Sequence, residues 1–145
     1  MHPTEKFITY TTEIGKKIMR YDIRNSKQME DLLVLPGDLT DQNVAIAINY
    51  LDDGRLLHSR GDRIEILDDR GAIVQIIGLE DYGWGIAQLT PSYDQAHVFT
   101  ANIFTGVAMK IRLDDGEVLG SIETEFKAPK RSLGGIAEFA GIERD

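Results

Sequence analysis

The stretch that decides the fold is LLHSRGDRIEILD, Leu56–Asp68. Its two halves flank the turn Arg60-Gly61-Asp62, and the second half alternates before ending on an aspartate. Period-two alternation on either side of a glycine-containing turn reads as a pair of antiparallel strands. The same arrangement recurs on both sides. FITYTTEIGKKIMRYD, Phe7–Asp22, and VFTANIFTGVAMKIRLD, Val98–Asp114, each pass from a β-rich run through a polar or glycine-containing turn into an alternating strand that ends in Asp. Asp22, Asp68 and Asp114 stand 46 residues apart, twice over. Equal spacing of that size is the mark of a structural repeat.

Each unit extends outward. After the aspartates come further strands, Met29–Leu35, Ala72–Ile77 and Glu117–Ile122, reached in the last two units through Asp69-Arg70-Gly71 and Asp115-Gly116. Those turn residues tolerate positive φ at hairpin tips. Before two of the units lie short runs rich in small apolar residues, Val44–Tyr50 and Gly85–Leu89, suited to strands crowded around an axis. Asp53-Gly54 closes one of these inner hairpins and Pro91–Asp94 the other. The stretch from Asn25 to Leu35 can be drawn as a helix, but the repeat demands a strand there, and Leu33–Leu35 aligns with Ile76 and Ile77. Four short strands every ~40 to 50 residues is the pattern of a β-propeller blade. The expected fold is all-β: three four-stranded blades over residues 1–35, 44–77 and 84–122, in one unit spanning 1–145.

The phase of the repeat carries a further expectation. The first unit starts at the turn Pro3–Lys6 and lacks an inner strand, whereas GGIAEFA, Gly134–Ala140, matches the inner strand Gly85–Leu89. Three blades do not close a ring, since propellers have about four to eight. An open array leaves a bare blade face and an unpaired strand edge. The expectation is a homodimer about a two-fold axis, six-bladed, in which strand 134–140 of each copy completes the N-terminal blade of the other. The competing expectation is that the chain is part of a longer propeller.

Bulk properties narrow the function classes. A chain of 145 residues, 42% hydrophobic and 28% charged, can bury a core of its own. It has no cysteine, which excludes disulfides and thiolate metal sites. A net charge of −8 argues against nucleic acid and anionic membrane as partners. The one basic run, Lys127–Arg131, is short and follows Glu123 and Glu125, so it reads as a solvated loop. No apolar stretch approaches the ~20 residues of a membrane span, and no basic segment leads into a signal-peptide-like run. The expected location is cytoplasmic.

TTEIGKKIMRYD, Thr11–Asp22, resembles the repeats of the SMP-30/gluconolactonase and NHL-type propellers, and it is similar to streptogramin-lyase-like propellers in its T-E-x-G-x-x-I-x-R-x-D pattern. The resemblance extends over the three blades and implies the fold before any activity. It also implies a choice of functions, because such propellers include metal-dependent lactonases, lyases and binding proteins without chemistry. The lactonase members carry Glu-Gly-Pro at the start of an inner strand; here Tyr82-Gly83-Trp84 and Leu133-Gly134-Gly135 stand instead.

Candidate site residues follow from where propellers bind, at the axial channel beside the loops that enter inner strands and those that join second to third strands. Glu13, Arg60 and Asn102 begin equivalent second-to-third loops. Oxygens of Glu13 and Asn102 are of the type that holds Ca²⁺ or Mg²⁺. Arg60 suits a carboxylate or phosphate, or a plain ion pair on a solvated loop. The loops into inner strands carry Asp38, Asp41, Glu80, Asp81, Tyr82 and Trp84, where an aromatic pair beside two acids could cradle a sugar or a cation. Packing between blades is the competing use of Trp84. His2, His58 and His97 show no metal-ligand spacing, and His58 stays a candidate near a substrate. The chain has no G-x-S-x-G, phosphate loop or dinucleotide fingerprint. Two function classes remain: a binding or scaffold module taking a small molecule or peptide, and a divalent-metal-dependent hydrolase or lyase using Glu13 and Asn102.

Overall fold

The computed structural model describes residues 2, 6–12, 15–38, 40, 43–126, 129 and 133–138. Twelve strands lie along them in chain order. The first sheet holds β1 (Phe7–Tyr10), β2 (Lys17–Asp22), β3 (Lys27–Gln28) and β4 (Leu33–Val34). The second holds β5 (Ile48–Tyr50), β6 (Leu56–Ser59), β7 (Arg63–Leu67) and β8 (Ile73–Gly78). The third holds β9 (Ile86–Pro91), β10 (His97–Asn102), β11 (Val107–Arg112) and β12 (Val118–Glu123). All three are antiparallel, and a 3-10 turn, Glu80–Tyr82, links the second to the third.

The recurring aspartates have a local cause. Asp22 Oδ1 accepts the Asn25 N–H at 3.0 Å, and Asp68 Oδ1 accepts those of Arg70 and Ala72 at 2.9 and 2.8 Å. In the third sheet the neighbouring Asp115 does this, accepting the Glu117 N–H at 3.1 Å. A short carboxylate that bonds backbone two to four residues on folds the chain back into the next strand. Register keeps the same step. Tyr10 pairs with Met19, His58 with Glu65 and Val98 with Ile111, and the second members of these pairs are 46 residues apart.

Two strands differ from the sequence pattern. Of the outer strand expected over Met29–Leu35, only β4 (Leu33–Val34) is strand; β3 precedes it, and no part of the stretch is helix. Met29 N–H bonds the Arg20 carbonyl and Leu32 N–H the Ile18 carbonyl, so two residues bulge out opposite Met19. The inner strand expected over Val44–Tyr50 is regular only at Ile48–Tyr50. Its first half leans on the first sheet instead: Ala45 N–H bonds the Gly15 carbonyl, and Thr11 Oγ1 donates to the Ile46 carbonyl.

Packing stacks the sheets face to face in chain order. Ile18, Leu32 and Leu35 of the first sheet meet Leu56 and Leu67 of the second. Leu57, Ile64, Ile66 and Ile77 on the other face of the second sheet meet Ile86, Leu89, Val98, Met109 and Ile111 of the third. Both faces of β6 and β7 are thus buried, one against each neighbouring sheet. Each such aliphatic side chain stabilises the stack by about 1.5–3 kcal/mol. Among the described residues no helix is long and apolar enough to cross a membrane.

Candidate functional site

A buried charge cluster occupies the junction of the first and second sheets. Glu65 faces away from Ile64 and Ile66 because neighbours on a strand alternate, and register sets it beside His58. Both side chains are essentially without solvent, at 1% and 0% exposure. His58 Nδ1 donates to Glu65 Oε2 at 3.2 Å. Oε1 accepts Arg60 Nη1 at 3.2 Å and Arg63 Nε at 3.0 Å. Burial alone would raise the Glu65 carboxyl, but hydrogen bonds from His58 and Arg63 and the charges of His58 and Arg60 outweigh it, holding the group at about 2. Arg60 then passes the connection on: its Nη2 donates to Asn43 Oδ1 at 3.0 Å, and Asn43 Nδ2 donates to the carbonyls of Pro36 and Asp38, both at 2.8 Å. One carboxylate thus ties strand, turn and inter-sheet loop together. His58 Nε2 is buried with no hydrogen-bond partner among the described residues.

A second polar knot lies at the corresponding end of the third sheet. Asn102 Nδ2 donates to the carbonyls of Tyr82, Gly83 and Trp84 at 2.9–3.1 Å, and its Oδ1 accepts the N–H groups of Phe104 and Thr105 at 2.9 and 3.0 Å. With both ends engaged and no exposure, its amide fastens the loop into β9 onto the β10–β11 turn. A cation does not fit at Asn102, because that oxygen already accepts two backbone donors. Trp84 stacks on Phe104 with ring centroids 5.5 Å apart and lies over Gly61, where a Cβ would come within 2.5 Å of Nε1.

The inner strands form a third feature. Asn49 Nδ2 of β5 donates to the Leu89 carbonyl of β9 at 2.9 Å. Alongside runs a groove of about 430 Å³ lined by Tyr50, Asp52, Thr90, Tyr93, Gln95 and Glu138. Its wall is mixed: two phenols, two carboxylates, an amide and a hydroxyl.

The sequence-predicted residues are therefore not gathered at one point. Arg60 and His58 share the Glu65 cluster, and Asn102 and Trp84 share the second knot. Tyr82 packs on the core between the second and third sheets, while Asp81 stays exposed on the 3-10 turn. Glu13 and Asp41 lie outside the described residues. Sequence reasoning missed Glu65 and the Thr90–Tyr93 groove. The signal for Glu65 was a charged residue inside RIEIL, Arg63–Leu67, with His58 opposite across a short turn.

No family model matches the chain. No curated protein matches it either. Solved structures do resemble it. The Neurospora crassa Pan2 WD40 domain superposes with a TM-score of 0.65 at 12% identity, over 86% of this chain and 37% of that one. Kuenenia stuttgartiensis hydrazine synthase gives 0.68 at 18%, over 90% and 36%. A catalytically inactive H270A virginiamycin B lyase from Staphylococcus aureus, with quinupristin, gives 0.61 at 20%, over 87% and 39%. The chain spans little more than a third of each. At these identities the likeness shows the fold alone: the three sheets are β-propeller blades.

Proposed function

We propose that this chain is a β-propeller binding and scaffold module that self-associates and presents a small-molecule or peptide site at its axial channel. The observation that carries the ligand-site reading is the groove at the outgoing ends of the inner strands, beside the turns that join first to second strands and opposite the loops that enter the inner strands, where Tyr93 stands 71% exposed beside Asp52 and Glu138. Polar groups that converge on a concave surface fix a ligand's orientation, and an exposed ring supplies contact area. The Glu65 and Asn102 knots serve as the rigid frame, since the carboxylate of Glu65 and the amide of Asn102 are spent on the protein's own backbone and side chains. The test is a thermal-shift screen of small polar molecules and short peptides on the parent and on Tyr93→Ala. A ligand at 100 times its Kd stabilises by about 2.7 kcal/mol. Hits that raise the parent and not Tyr93→Ala support the groove; hits unaffected by that change move the site elsewhere.

A second reading is a divalent-metal-dependent hydrolase, lactonase-like, or a lyase of the SMP-30/streptogramin-lyase-like type. What favours it is the likeness to virginiamycin B lyase together with the buried Glu65–His58 pair. Ca²⁺, Mg²⁺, Mn²⁺ and Zn²⁺ at millimolar level in the same assay separate the two. A specific upward shift with one cation favours the metal reading.

A further inference from the structure

The contacts between inner strands occur twice. From the second sheet to the third, Asn49 Nδ2 donates to the Leu89 carbonyl at 2.9 Å, and three residues on the Asp52 N–H donates to Gln95 Oε1 at 2.9 Å. One step further, Thr90 Oγ1 donates to the Ile136 carbonyl at 2.7 Å, and three residues on the Tyr93 N–H donates to Glu138 Oε2 at 2.7 Å. The donors keep the same spacing in both sets while the acceptors do not, and residues 133–138 thus lie alongside β9 and its turn as β9 and its turn lie alongside β5. They hold the inner-strand position of a next blade, and among the described residues no second strand pairs with them.

The face beneath them is apolar. Register puts Phe99 beside Lys110, Ala101 beside Ala108, and Ala108 beside Ile122. Ile136 overhangs Phe99, Ala108 and Ile122 across a groove of about 370 Å³. The first sheet presents the complement. Ile8 pairs with Tyr21 and Tyr10 with Met19 on its outward face. The same register positions in the second and third sheets, Leu56 with Leu67 and Val98 with Ile111, are buried against the preceding sheet. On the outer edge of β1 the Phe7 carbonyl accepts the His2 N–H at 3.4 Å, and among the described residues no strand pairs there. The Lys6 carbonyl accepts the Ile23 N–H, so pairing alternation turns the N–H and C=O of Thr9 away from β2.

We propose that the occupant of both surfaces is a second copy of this chain. The Ile8–Tyr10–Met19 face of one copy stacks on the Phe99–Ala108–Ile122 face of the other, and residues 133–138 add to the partner's β1 edge. The inference rests on the self-association in the proposed function, and it names the surfaces. A second copy is the favoured occupant because this junction continues one already built twice within the chain, with the same register positions on its backward side. Two reciprocal junctions about a two-fold axis close six blades and leave no bare edge.

The experiment is light scattering on the full chain, with Ile8→Asp and Ile122→Asp alongside. Both residues are exposed in the single chain, at 38% and 66%, so each variant keeps its fold by circular dichroism. The parent is expected at twice the chain mass of 16.2 kDa, and each variant at the single mass. A parent at 16.2 kDa overturns the inference, as does a dimer that both variants leave intact. The ligand screen reads separately: a dimer without hits sinks the binding module and keeps the interface, and a monomer with hits does the reverse.

Discussion

Removing the Glu65 carboxylate tests whether the buried cluster holds the first two blades together. In Glu65→Ala, His58 loses its only hydrogen-bond partner among the described residues at a site without solvent, while Arg60 and Arg63 turn toward water. Hydrogen bonds to a charged group are each worth about 1.5–3 kcal/mol. The two arginine bonds are discounted because those side chains are 19% and 32% exposed. The loss is then on the order of 3 kcal/mol. The same bonds and charges hold the carboxyl at about 2 against 4.5, a depression of the same order, roughly 3 kcal/mol. For a chain of this size that lowers Tm by roughly 6–12 °C. The dependence on pH has a definite sign. A carboxyl depressed by folding stabilises fully above its unfolded value of 4.5, and that contribution fades as pH falls toward 2. Urea unfolding at fixed protein concentration should show the full gap between parent and Glu65→Gln near pH 7, narrowing steadily from pH 5 downward. A Glu65→Ala variant within 0.5 kcal/mol of the parent, or a gap that widens on acidification, would refute the reasoning.

Asn102→Ala frees three carbonyls and two N–H groups at a buried position, so a loss of about 2–4 kcal/mol is expected in the same unfolding assay. Gly61→Ala places a Cβ within 2.5 Å of Trp84 Nε1 at a φ of +69°. It should cost about 1–3 kcal/mol and red-shift the emission of the single Trp; unchanged fluorescence would contradict the stacking of Trp84 over that turn. Asn49→Ala removes the amide that reaches the Leu89 carbonyl, and about 1 kcal/mol should be lost with faster hydrogen exchange in β9.

What was legible in the sequence was whatever has short range. The 46-residue step, the aspartates that fold the chain back and the alternation of β7 and β11 are local features, so they show in one strand at a time. Pairings across strands were not legible in the same way. His58 and Glu65 are seven residues apart, and nothing in either residue says that register and burial will leave them together in a dry site. Asn102 looked like an oxygen ligand because an amide is one. Its actual use follows from the turn Asn102–Gly106, which asks for a side chain that can bond backbone on both sides. The bulge at Met29–Leu32 and the lean of Val44–Ala47 onto the first sheet depend on neighbours remote in sequence. The groove at Thr90–Tyr93 was invisible for another reason: one wall comes from residues some 45 positions on.

An experimental structure of the full chain, refined far enough to place side-chain amides, tests the stacking of blades most directly. It should show the three sheets packed in chain order, with the Asn49 amide on the Leu89 carbonyl and Thr90 on that of Ile136. Sheets merged edge to edge into a barrel, with β1 hydrogen-bonded to β12 of the same chain, would contradict it.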